Sequence, residues 1–471
     1  MATREISPKN PVLDGVNLIV PSKEKSTLND ASRLSETPIY KHIILQDDPG
    51  EALISALRNE LAEAKQSGRA VNIGAARHSM GGQAIPRDGH AITLQNAWVE
   101  AGDGIYRVQA GARWKDVIGA LDPVGLSPKV MQTNSDFGIG ATFSVNAHGW
   151  PTAFGPMGST VRSIKIMLAD GSLVSASRSE HPDIFAAAMG GYGLIGLLIE
   201  LELEAAPAAL LEPSFDEMPA ENFAETFVNV ARNVPMAYGR LNIDRANFFK
   251  DALLITYRAV EGELPKASVP GYRSYLTRKI FRSQTGNEWV KRRRWGMETG
   301  LGPILAGPVS RSGVMNESVK TLLGESGPDR TDIIHEYFVA PDRFNDFLTV
   351  CRDIIPSSYQ ELLNITMRWV EQDSVSLLSY APSGPRIASV LSFSQEMSAR
   401  AENDMKVMTR DLIDAVLALG GSYYLPYRPH ATVAQFSEGY KQASEFGQFK
   451  RQTDPKTIFR NALWDNYLAR I

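Results

Sequence analysis

The stretch Gly191-Tyr192-Gly193-Leu194-Ile195-Gly196 matches, letter for letter, the GxGxxG pattern with which a strand-turn-helix unit holds a dinucleotide. That mechanism needs a strand before the glycines and a helix after them, so that a pyrophosphate meets the helix N-terminus. Here the order is reversed. His181 to Met189 reads as a helix, and Leu197 to Leu203 alternates like a strand. The glycines join helix to strand, which argues against a Rossmann unit holding NAD and for a fold of another kind.

The rest of the chain supports a mixed α+β reading. Asp48 and Pro49 suit a helix start, and Leu53, Ile54, Leu57, Leu61 and Ala64 recur at helical spacing until Gly68. Val71 to Ile73 reads as a short strand, and Ile164 to Leu168 and Leu173-Val174 as two strands joined through a tight Asp170-Gly171 turn. From about residue 206 the character changes. Glu212-Pro213 and Pro219 punctuate, a helix is expected over Asn222 to Arg232, and strands over Ala252 to Tyr257, Ile333 to Val339, Leu362 to Val370 and Ile387 to Phe393. An amphipathic helix from about Glu402 to Leu419 stops at Gly420-Gly421, and the chain reads as irregular after Tyr423. A chain of 471 residues exceeds one ordinary domain. We therefore expect units at 1–205 and 206–422, with 423–471 returning to the first.

Several function classes are disfavoured. A net charge of −4 gives no global reason to expect nucleic acid as a partner. The lone Cys351 cannot build a disulfide, a CxxC redox pair or a multi-cysteine metal site, and no metal site is expected. No signal-like apolar run follows Met1 and no stretch approaches membrane-spanning length, so a cytoplasmic protein is expected unless an export signal has been removed. A small molecule is the default partner. One segment, Arg273 to Arg294, is locally basic and interleaved with aromatics. It reads first as a solvated excursion with its aromatics packed inward, and second as a weak contact with a membrane surface or a polyanion.

Two small-residue loops carry the chemistry. The first runs Gly74-Ala75-Ala76-Arg77-His78-Ser79-Met80-Gly81-Gly82-Gln83-Ala84 behind a strand, and suits a backbone wrapping a phosphate with an imidazole against the ligand. The second, after Gln132-Thr133, runs Gly138-Ile139-Gly140-Ala141-Thr142-Phe143-Ser144-Val145-Asn146-Ala147-His148-Gly149. Two such loops can enclose a pyrophosphate from opposite sides. By itself, His78 reads more simply as a local hydrogen-bonding group than as a reactive one.

With these motifs the chain resembles the FAD-linked oxidases of the vanillyl-alcohol oxidase superfamily, which share the PCMH-type FAD-binding fold. Arg77-His78-Ser79-x-x-Gly82-Gln83-Ala84 is similar to the segment by which cytokinin dehydrogenases and alditol oxidases tether flavin through a histidine. Val161-Arg162-Ser163, Ala169-Asp170-Gly171 and Gly190-Gly191-x-Gly193-Leu194-x-Gly196 resemble the remainder of the FAD-binding part. The resemblance implies a two-lobed fold whose second lobe is a mainly antiparallel sheet covered by helices. It implies FAD bonded to His78 and contacted by Gly74, Ala75, Ala76, Arg77, Ser79, Gly82, Gln83, Thr133, Gly138, Ile139, Gly140, Ala141, Val145, Asn146, Ala147, His148, Leu198 and Tyr424. It also implies hydride transfer from a CH–OH donor such as a sugar, polyol or lactone, with dioxygen or another acceptor closing the cycle.

The departures from the family pattern concern the reacting end. Aldonolactone and alditol oxidases usually carry Glu-x-Arg, matched here by Thr366-Met367-Arg368, so the arginine stays and the carboxylate is missing. Their C-terminal Arg-Pro-His-Trp-Gly-Lys is matched only by Arg428-Pro429-His430, and Tyr427 falls where decaprenylphosphoryl-ribose oxidases have a lysine. Cys351 lies too far along the chain to supply the second flavin bond of berberine-bridge-type enzymes. Arg368 or Arg428 is then expected to supply positive charge, and Tyr427 or His430 to receive a proton. Arg368 could instead pair with a carboxylate, and Tyr427 could be a core phenol. Two other readings stay open: oxidation of an amine or aromatic metabolite, and a non-catalytic flavin-binding protein.

Overall fold

The computed structural model describes residues 26–265, 282–316 and 327–471. Three segments build the first wall of the molecule. The strands Lys41–Leu45 and Val71–Gly74 both pair in parallel with His90–Leu94, which lies between them. The helix Glu51–Ser67 makes the crossover, burying Leu53, Leu57, Leu61 and Ala64 and ending at Gly68 with φ 64°. Its N-cap is Gly50 with no side-chain bond. Asp48 does not cap; its Oδ1 accepts from Asn96 Nδ2 at 3.0 Å. The 74–84 loop leaves the carboxyl end of the strand Val71–Gly74, the end of a parallel sheet at which ligands are held.

A six-stranded antiparallel sheet follows, in which Leu197–Pro207 pairs with Ile105–Gln109, Val161–Met167 and Leu126–Pro128. The helix Pro182–Ala188 precedes the glycine fingerprint and the strand Leu197–Pro207 follows it, the order expected from the sequence. A larger antiparallel sheet has eight strands, running Val309–Ser310, Leu210–Pro219, Asp251–Val260, Met236–Leu241, Glu361–Val370, Arg386–Glu396, Arg330–Val339 and Ser422–Tyr423. Pro213 does not interrupt it; the strand Leu210–Pro219 runs through Pro213 in register with Tyr257. The helices Phe344–Ile354 and Ala399–Ala418 bury one stripe each, Phe344, Phe347, Leu348 and Cys351 in the first and Met405, Leu412, Ile413 and Val416 in the second.

The region after Tyr423 is more regular than its composition suggests, with helices Val433–Gly439, Ala443–Thr453 and Ala462–Asn466. It is stitched to the first sheet, where Val71 N donates to Ile458 O at 2.7 Å. Asp454, 1% exposed, organises this turn: it pairs with the buried Lys450 and accepts from Ile458 N (2.9 Å) and Phe459 N (2.8 Å).

Of the five described cations of the basic segment three are held in ion pairs away from solvent, while Trp289 stands exposed. Arg282 pairs with Asp332, Lys291 with Glu288 and Glu361, and Arg294 with Glu298, while Arg292 and Arg293 stay exposed. Arg273, Arg278 and Lys279 lie outside the described residues. Among the described residues no helix is long and apolar enough to cross a membrane.

Because Asp454 neutralises a buried ammonium and ends two backbone N–H groups at once, Asp454→Ala should cost about 3 kcal/mol or more. Urea denaturation followed by tryptophan fluorescence checks this, and a cost under about 1 kcal/mol would show that the turn is held by other contacts.

Candidate functional site

The two small-residue loops and the large sheet enclose one cleft, with about 1690 Å³ of atom-free space counted out to its open mouth. One side is backbone and small side chains: Gly74, Ala75, Ala110, Gly111, Gly140, Ala141 and Gly193. The loops approach so closely that a Cβ on Gly138 would stand 2.7 Å from Ala75 Cβ. Arg77 (φ 51°), Asn146 (φ 45°) and Tyr192 (φ 55°) take left-handed backbone here, a conformation that surrounding structure must enforce.

Strand alternation builds the opposite side. Glu336, Val390 and Thr366 form one cross-strand row, and Ile334, Ser392 and Asn364 the next, all lining the cleft. Arg368 continues this face, while its neighbours Met367 and Trp369 are buried on the other, Trp369 against Phe227. Arg368 makes only a long contact, NH2 to Thr133 Oγ1 at 3.4 Å.

Six cleft-lining side chains carry a buried nitrogen or oxygen without a partner: Arg77, His78, Ser79, Asn134, His148 and Arg368. Buried polar atoms are normally bonded. Six orphans on one cleft are what a large polar ligand leaves behind, and the glycine-built wall lets its backbone come close. These residues fit a flavin dinucleotide. His78 stacks edge-on against Phe137, with ring centroids 4.5 Å apart, and burial with help from the nearby Arg113 charge lowers its pKa to about 4. Its imidazole is therefore neutral near pH 7, with Nδ1 unpartnered.

Not every residue singled out from sequence reaches the cleft. Gly74, Ala75, Arg77, His78, Ser79, Gln83, Thr133, Gly140, Ala141, Val145, Ala147, His148, Leu198, Arg368, Tyr424 and Tyr427 line it; Ala76, Gly82, Gly138, Ile139 and Asn146 stand behind it. Asn146 bonds Asp373 Oδ2 and Gly158 N, both at 2.9 Å. Arg428 and His430 are elsewhere, a correction to their expected place at the reacting end. Both bind Glu402, and Arg428 also reaches Ser35 Oγ (3.0 Å) and Met80 O (3.1 Å). Burial raises the Glu402 pKa, but the bonds from His430 and Arg428 prevail and hold it at about 2. This is a clamp behind the first loop.

Sequence reasoning missed Glu336, 3% exposed, whose Oε1 lies 2.5 Å from His148 Nε2 and whose Oε2 accepts from Tyr427 OH at 3.3 Å. A lone acid inside the apolar run Ile333 to Val339 was the available signal. Asn364 and Ser392 carried none.

Burial also lowers the pKa of His335 and, though Glu402 opposes this, of His430. The unfolded chain protonates these imidazoles and His78 below about 6.5, whereas the fold resists. The folded state then binds fewer protons, so stability present above pH 6.5 is lost as pH falls toward 4. His42, lowered by burial and by the Arg77 charge, acts with these three, and Asp30, raised by burial, acts in the opposite sense. We expect the urea midpoint of FAD-free protein to fall between pH 7.5 and pH 5; a flat profile would contradict neutral buried imidazoles.

Residues 54–177 match a family described as an FAD binding domain. The chain is 25% identical over 263 residues to the D-arabinono-1,4-lactone oxidase of Yarrowia lipolytica, covering 52% of this chain and 46% of that one. It is 28% identical over 167 residues to the L-gulonolactone oxidase of Mus musculus, covering 34% and 38%, and 29% identical over 143 residues to cytokinin dehydrogenase 2 of Oryza sativa subsp. japonica, covering 28% and 25%. The matched part spans less than half the length of each of these relatives. The likeness to the PCMH-type FAD-binding domains thus rests on residues 54–177.

Proposed function

We propose that this protein is an FAD-dependent oxidoreductase that takes a hydride and a proton from a CH–OH donor such as a sugar, polyol or lactone, with dioxygen or another acceptor as the final oxidant. The observation that carries the reading is the two-sided cleft. Its backbone side and unpartnered imidazole suit FAD, and its sheet side presents Glu336, Arg368, Asn364, Thr366 and Ser392. Hydroxyl and amide groups at alternate positions of adjacent strands suit a polyhydroxylated ligand, whose oxygens both donate and accept. The lactone oxidases among the similar proteins point the same way. FAD, when bound, supplies the two-electron acceptor for the hydride.

The chain's own residues supply position and charge. Arg368 has a buried Nε without a partner and no carboxylate within 4.0 Å among the described residues. A preorganised, unspent cation stabilises negative charge that grows during reaction. We assign it that role. Arg368→Ala should slow anaerobic flavin reduction by at least about tenfold, since one such contact is worth on the order of 2 to 4 kcal/mol; reduction at the wild-type rate in stopped flow would remove the assignment.

His78 is proposed as the tether. A neutral ring nitrogen without a partner is the state in which an imidazole can be bonded to carbon. Acid precipitation should leave flavin absorbance in the wild-type pellet and release it from His78→Ala. Flavin released from both would mean that FAD is held without a covalent bond. Anaerobic addition of polyols, sugar lactones and amines tests the donor class: bleaching by an alcohol alone supports the reading, and bleaching by amines alone replaces it.

A further inference from the structure

Glu336 is the only acidic side chain among the described residues lining the cleft, and it has no arginine or lysine within 4.0 Å. Its single ion-pair partner is His148. A carboxylate kept this far from water without a fixed cation is costly, and the cost is tolerated where the group has chemistry to do. Its two oxygens are used differently. Oε1 is hydrogen-bonded to His148 Nε2, while Oε2 accepts from a phenol that itself lines the cleft. A path of two hydrogen-bonding atoms thus leads from the cleft to a buried acceptor.

We propose that Glu336 is the terminal proton acceptor of the oxidation, reached through the Tyr427 hydroxyl, with His148 as its positioning residue. This rests on the reading of the protein as a CH–OH oxidoreductase. The substrate O–H bond breaks and its proton goes to the Tyr427 oxygen, as the phenol proton passes to Glu336 Oε2. The carbon-bound hydrogen leaves with its electron pair to the bound oxidant, the C–O bond becomes double, and the carboxylate becomes a neutral carboxyl group. Tyr427 ends as it began. Burial first, then the Glu336 charge, hold its pKa far above 10, so it passes a proton on only while receiving another. The groups facing Glu336 are His148 and the phenols Tyr192, Tyr380, Tyr424, Tyr427 and Tyr440; Arg368 acts on the same Tyr427. All five phenols are raised by burial and stay neutral.

The test is Glu336→Gln in the flavin-loaded full chain, using whichever CH–OH donor bleaches the wild type. Flavin content and melting temperature should be retained and donor affinity should change less than about threefold. The limiting rate of flavin reduction should fall at least about 100-fold, the scale of a lost acid–base group, and the acid limb of its pH profile should disappear. Tyr427→Phe should fall comparably, and the double variant no further than the slower single one. In histidine NMR of the resting protein, the His148 ring signals should move once the neighbouring carboxylate is removed, a readout independent of turnover. Glu336→Gln reducing at the wild-type rate, or keeping the acid limb, overturns this assignment alone. A wild type that no CH–OH donor reduces overturns both the assignment and the reading beneath it. Should Glu336→Gln fail to fold, Tyr427→Phe at the wild-type rate overturns the proposal equally.

Discussion

Side chains of a β-strand point alternately to opposite faces, and the cleft depends on this more than on any single bond. In the strand Glu361–Val370, Asn364, Thr366 and Arg368 face the cleft while Ile365, Met367 and Trp369 are buried on the other side. The same two-residue step puts Ile334 and Glu336, and Val390 and Ser392, on the ligand side of neighbouring strands. A slip of one residue in any of these pairings would bury the charges and expose the core, so register and chemistry are one constraint. The antiparallel ladder protects both.

The other side of the cleft obeys a different rule. Its loops carry almost no side-chain volume, so their shape is set from behind. Gly82 N donates to Asp30 Oδ2, Gln83 Nε2 to Leu425 O and Tyr427 O, and Arg428 NH1 to Met80 O. Arg428 and His430 are thus part of the scaffold for the first loop, with Glu402 as the anion that holds them. The cleft gains a flexible composition on a rigid frame, the arrangement that preorganised sites require.

Local signals in the sequence carried most of the elements, because helical spacing around Leu53 to Ala64 and strand runs such as Ile387 to Phe393 are statements about burial that the fold honours. They misled where tertiary context overruled them. Pro213 is tolerated inside a paired strand, and the helices after Tyr423 form where composition reads as irregular. At the site, the small-residue loops were legible because close approach demands glycine and alanine. The reacting end was not. A carboxylate was sought at Thr366, but the sheet supplies Glu336 in the same row two strands away, both opposite Val390. Positions two strands apart in a sheet and 30 residues apart in sequence leave no spacing to read.

Three of the hydrogen bonds that shape the first loop join residues more than 340 positions apart. Contacts of that span close late, because the loop entropy must be spent before they form. On a ribosome, the 74–84 loop would emerge long before the segment Leu425 to Arg428 that braces it. The brace therefore forms only once nearly the whole chain has been made, and the nascent chain passes through a stage in which its small-residue loops stand without it.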